Sequence, residues 1–172
     1  MKRHHVLVFA LTAVFALSLC PSANAERGPS TPEERARFVR ISRSIEQDPL
    51  NETLRSEREW ALRWLIEIPD ISVTVCSGPL TKLLDTKKNY SAELFGHSLF
   101  ASATFIIENP DQGNDPNVVY AAGVEGVLRM YERILAQKPK ARHRILDELL
   151  QKRDRGELAN HIRELSPCKS EK

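Results

Sequence analysis

SAELFGHSLFASATFIIE, residues 91–108, is the stretch that decides the fold. Leu94, Phe95, Leu99, Phe100, Phe105, Ile106 and Ile107 are interrupted mainly by small residues, so a helix built from them is apolar on nearly every face. Such a helix holds together only when other helices enclose it, which makes it the expected centre of an all-α bundle. It is shorter than the roughly 20 uncharged residues that a membrane span needs. Asn109-Pro110 ends it.

Downstream, Asp115 is a good cap followed by Pro116 at the first helical position, and the pattern predicts a helix over 116–137. Ala122, Gly123 and Gly126 fall within two of its turns, beside Val119, Val127, Met130 and Ile134. Glycine inside a helix costs about 1 kcal/mol relative to alanine, so two of them need a reason. Close approach of the central helix is the reason expected here, with a notch for a ligand or a partner's side chain as the alternative. Beyond Pro139, a helix carries Ile145, Leu146, Leu149 and Leu150, Gly156 breaks it, and a last helix carries Leu158, Ile162 and Leu165.

Upstream, Thr31 caps a helix with Pro32 first and Glu34 third, and Phe38, Ile41 and Ile45 recur at helical spacing until Asp48-Pro49. A second helix is predicted from about Asn51, with Leu54, Ala61, Trp64 and Leu65 on one face and the pairs Arg55/Glu59 and Arg63/Glu67 outside. Pro69 stops it. Over residues 70–88, Ile71, Val73 and Val75 alternate, but a lone strand would lack a partner. A short helix or an extended crossing segment is therefore expected there, with a short helix after Gly78-Pro79. The whole reads as six or seven helices in antiparallel hairpins forming one domain over 31–168, preceded by a short flexible stretch, 26–30, and followed by a tail, 169–172.

The first 25 residues have a different character. Lys2 and Arg3, the apolar run Val6 to Leu19, and Ala23-Asn24-Ala25 have the order of a secretory signal peptide. An acylated Cys20 is the alternative, but it needs a small residue before the cysteine and finds Leu19. Cleavage after Ala25 is expected, which places the protein in the periplasm or outside the cell without a membrane anchor. The whole chain carries 25 Lys and Arg against 23 Asp and Glu, and loss of Lys2 and Arg3 brings the two to balance. That balance argues against nucleic acid or an anionic membrane as the main partner. Cys20 leaves with the leader, and Cys76 and Cys168 remain. In an oxidising compartment they are expected to form a disulfide, with separate thiols or an intermolecular bridge as alternatives.

Candidates for chemistry are few. Glu93 and His97 lie four apart on the central helix and would suit a metal-ligand pair or an acid–base couple. After cleavage only His143 and His161 join His97, and no two histidines stand at helical spacing, so no metal site and no cofactor are assigned. A calcium loop starting at Asp111 would need glutamate at its twelfth position, where Ala122 stands; a turn and cap is the simpler reading. Lys138, Lys140, Arg142, His143 and Arg144 are followed by Asp147, Glu148 and Asp154, the pattern of a solvated helix end.

Two resemblances accompany these residues. WALRWLIEIPD at 60–70 with Val73-Thr74-Val75-Cys76, FIIENP at 105–110 and YAAGVEG at 120–126 resemble an uncharacterised family of secreted bacterial helical proteins, over most of the processed chain. That likeness implies export and helices but supplies no activity. The run from Gly123 through Tyr131, Leu135 and Pro139 is similar to the later part of a tetratricopeptide repeat and implies antiparallel helix hairpins.

The function expected from all this is a non-catalytic, secreted or periplasmic interaction module with a protein partner, meeting it through an exposed patch that includes Trp60, Tyr90 or Tyr131. A cell-envelope hydrolase is the alternative, with Glu93, His97 and Glu108 as first suspects, and a periplasmic immunity protein against a secreted toxin is a narrower one.

Overall fold

The computed structural model describes residues 27–165 and 168, so the leader over 1–25 and the tail over 169–172 lie outside the described residues. Six α-helices and no strands make up the described residues: α1 (Pro32–Gln47), α2 (Arg55–Glu67), α3 (Ser91–Glu108), α4 (Pro116–Gln137), α5 (Arg144–Asp154) and α6 (Leu158–Leu165). Two 3-10 turns, Glu52–Leu54 and Pro79–Leu83, interrupt the connections.

Local signals set the helix ends. Thr31 Oγ1 accepts the Glu34 N–H at 3.2 Å while the Glu34 carboxylate accepts the Thr31 N–H at 3.0 Å, so two donors that the helix start would leave unpaired satisfy each other's residue. Asp115 accepts from the N–H groups of Asn117 and Val118 at 2.9 and 3.2 Å to start α4. Asn51 caps a 3-10 turn rather than α2 itself, which begins four residues later than its sequence pattern implies. The outer charge pairs differ as well: Arg55 reaches back to Glu52 at 2.7 Å and Glu67 is met by Arg27, not by Arg63.

α3 and α4 form an antiparallel hairpin, the late residues of one against the early residues of the other, and this is the heart of the molecule. Its closeness depends on the two glycines. A Cβ on Gly126 would lie 2.3 Å from the Ala101 Cβ, and one on Gly123 would lie 2.5 Å from Ser102 Oγ and 3.0 Å from the Ser98 carbonyl. α1 packs across both helices, burying Phe38, Ile41 and Ile45 against Trp64, Phe100 and Leu94, with Phe38 edge-on to Phe100. The α5–α6 hairpin closes the other side of α4 through Leu146, Leu149, Leu158 and Ile162. Gly156, at φ +72°, is the left-handed residue that ends α5.

Residues 71–76, between bends at 69–70 and 77–78, cross the bundle as an extended segment, and the predicted short helix after Pro79 is the 3-10 turn, with Leu80 and Leu83 buried and Leu84 outside. The segment is fastened at Cys76, whose disulfide to Cys168 spans a Cα–Cα distance of 4.8 Å and a sequence separation of 92. In the chain-entropy account a loop of that length is worth about 4.5 kcal/mol. Within the stretch 26–30, expected to be a flexible lead-in, Arg27 and Ser30 each have partners in the bundle. Ser30 is buried and gives both its N–H and its hydroxyl to Asp70, at 2.8 and 2.7 Å, and Arg27 reaches Glu34 and Glu67.

Candidate functional site

The chemical suspects on α3 do not converge. His97 is buried, and its Nε2 donates to Glu46 of α1 at 3.2 Å; its Nδ1 is buried without a protein partner among the described residues. Glu93 is exposed in the first turn of the same helix, and Glu108 lies fifteen residues further on, about 22 Å along the axis, paired with Arg43. What surrounds His97 is a tie between helices. Glu46 accepts from Arg129 Nε at 2.7 Å and Nη2 at 3.0 Å as well as from His97, joining α1, α3 and α4. Burial pushes the Glu46 carboxyl upward, but the hydrogen bonds from His97 and Arg129 and the guanidinium charge outweigh it and hold the group at about 2.

Glu46 and Arg129 escaped the sequence reading because they are 83 positions apart and belong to no motif. Among the described residues no group of three or more His, Cys, Asp or Glu side chains could hold a metal ion, and no helix is long and apolar enough to cross a membrane.

Of the aromatic residues expected on a binding patch, Tyr131 is placed inside the core, while Trp60 and Tyr90 are half-buried. Tyr131 is fully buried: its hydroxyl accepts the His143 N–H at 2.7 Å and donates to Asp147 at 2.9 Å. Burial, the first cause, and the neighbouring Asp147 push this phenol up to about 12, so it stays a neutral donor. Tyr131 is thus the pin of the α4–α5 corner and presents nothing to a partner. Tyr90 is half-buried and adopts φ 63°, next to Asn89 at φ 55°. That unusual pair is held by reciprocal bonds: Asn89 Nδ2 donates to the Arg142 carbonyl and His143 Nε2 donates to the Asn89 carbonyl, both at 2.9 Å. Trp60 is half-buried, stacked on Trp64 and covered by the Arg37 guanidinium at 3.9 Å.

Several surface grooves remain, among them a polar one of about 400 Å³ over Glu46, Gln47, Arg129 and Glu132 and one of about 350 Å³ beside α6; two others are lined mainly by apolar side chains. One, of about 430 Å³, runs between α3, α4 and α6 over Ala101, Phe105, Val118, Ala121, Ala122 and Ile162, with Glu108, Glu125 and Arg129 at its edges. The other, of about 350 Å³, lies between α2 and the extended segment, walled by Leu62, Ile66, Ile71, Val73 and Val75 and floored by Leu65 and Leu99. Here the apolar surface stands proud of the core: Leu62 is 46% exposed, Ile66 74% and Val75 59%. They are three of the six large apolar side chains that are exposed among the described residues, gathered on one groove. A single exposed leucine is ordinary, but a cluster at a concavity marks a binding surface. No signal beyond the alternation at 71–75 pointed to it in the sequence, where the apolar face of the second helix is Leu54, Ala61, Trp64 and Leu65 and leaves Leu62 and Ile66 unassigned.

No protein-family model matches this chain, and no curated protein and no solved structure matches it either.

Proposed function

We propose that this protein is a non-catalytic interaction module of the periplasm or extracellular space, delivered there by its leader and holding a protein partner at the groove between α2 and residues 71–75. The observation that carries the reading is the clustering of exposed Leu62, Ile66 and Val75 around that groove, while of the ionisable suspects His97 and Glu108 serve as ties between helices and Glu93 stands apart from both at the exposed start of α3. The disulfide fits an oxidising compartment and bolts the end of the extended segment in place, so the groove wall is rigid before a partner arrives.

Site-specific photo-crosslinking in the native host tests this. A photoreactive side chain at position 66 is expected to capture one discrete protein, absent when the probe stands at the exposed position 140 on the far corner of α4 and α5, and the purified pair is expected to re-form the same crosslink. No discrete product at position 66, or the same product from both positions, would remove the groove as the binding face.

A further inference from the structure

The exposed wall of this groove is a main chain as well as a row of side chains. From Ile71 to Ser77 no backbone N–H bonds to another protein group among the described residues, and no backbone donor reaches the carbonyls of the same seven residues. Elsewhere the turns and caps supply partners for the chain; here it runs extended beside an apolar trough with its hydrogen-bonding groups unused. The β-branched residues Ile71, Val73, Thr74 and Val75 favour that extended shape, and five residues span about 17 Å. Ile71, Val73 and Val75 all line the groove, buried, half-buried and exposed in turn, while Ser72 and Thr74 are exposed and Cys76 is buried at the disulfide. The main chain beside the groove is thus extended and unpaired, although no strand is formed.

We infer that the partner enters the groove as an extended peptide, adding a strand beside residues 71–75 through main-chain hydrogen bonds and laying apolar side chains at every second position onto the groove floor. This rests on the interaction-module reading and specifies its mode. A helix in the same trough would cover Leu62 and Ile66 but leave the backbone of 71–75 unpaired, because its own N–H and C=O groups bond within the helix. Both charge signs stand on the exposed face of α2, Glu59 and Arg63 beside Leu62 and Ile66, so the wall selects backbone and apolar shape rather than a charged sequence.

The test is selection of phage-displayed random linear dodecapeptides on the processed, disulfide-intact chain, with Ile66→Glu as the counter-target; Ile66 is exposed enough for the variant to fold, which its melting curve verifies. The expected result is peptides with apolar residues at alternate positions, weakened roughly tenfold or more by Ile66→Glu and by N-methylation of one pairing amide, about the worth of one lost hydrogen bond with its contacts. In the complex, amide hydrogen exchange at residues 72–75 slows. Selection without binders, binders with apolar residues spaced three and four apart, or binding without protection of 72–75 would each overturn strand addition. If position 66 still captures a discrete partner in the host, the failure is of the binding mode alone; if it captures nothing, the module reading falls with it.

Discussion

Gly126→Ala is the sharpest probe of why the two central helices lie as they do. The added methyl would stand 2.3 Å from the Ala101 Cβ, whereas non-bonded carbons prefer about 3.5–4.0 Å. Both methyls are fixed to their backbones, so no side-chain rotation relieves the contact and the helices themselves must separate. Overpacking of this kind costs up to about 3 kcal/mol, and replacing a mid-helix glycine by alanine returns about 1 kcal/mol, leaving a net loss of about 2 kcal/mol. For a domain of this size that corresponds to a drop of about 4–8 °C in melting temperature. Moving the methyl across the interface in Ala101→Gly/Gly126→Ala restores the spacing and balances the helix propensities, so the double variant is expected within about 0.5 kcal/mol of the parent. Differential scanning calorimetry or urea unfolding of the four proteins measures the cycle. A single variant as stable as the parent, or a double variant no better than the single, would refute the close-packing explanation of the glycines.

The Glu46 tie makes the fold acid-sensitive in a defined window. Because its carboxyl is held at about 2 rather than near 4.5, its contribution of about 3 kcal/mol is complete above pH 4.5 and is lost as pH falls toward 2. Urea unfolding at stepped pH is expected to show that loss, and Glu46→Gln to start less stable and fall less, retaining the dependence contributed by the other carboxylates that partners hold low, Asp70 at about 2 and Glu34, Glu52 and Glu132 below their ordinary range. Tyr131→Phe removes one hydroxyl from the buried His143 N–H and the half-buried Asp147 carboxylate, and is expected to lower stability by about 1–3 kcal/mol while leaving the groove beside Ile66 unchanged. A melting temperature equal to the parent's would show that the α4–α5 corner does not depend on that hydroxyl.

Much of the architecture was legible because its causes are local. Thr31 with Glu34, Asp115 with Pro116, Asn109-Pro110 and Gly156 mark helix ends through groups a few residues away, and the glycines of α4 announced a close neighbour through their own propensity cost. The pairing of Cys76 with Cys168 was equally plain, since the two cysteines that follow the expected leader leave one intramolecular choice. These are properties of short stretches or of counting.

What the tertiary structure alone decided is which way each helix turns and what it meets. Tyr131 and Trp60 read alike as aromatic residues on helices, yet the rotation of α4 sinks Tyr131 onto His143 and Asp147 while α2 leaves Trp60 half-covered under Arg37. His97 was legible as a residue with chemistry, but its meaning came from Glu46 and Arg129, brought in from helices far along the chain. The same holds for the groove: an alternating stretch at 71–75 is ambiguous by itself, and only its position across α2 and α3 leaves one edge uncovered. Caps and breaks act over one helical turn and are written in sequence; contacts between helices depend on crossing geometry set by the whole core, which no single stretch of this chain contains.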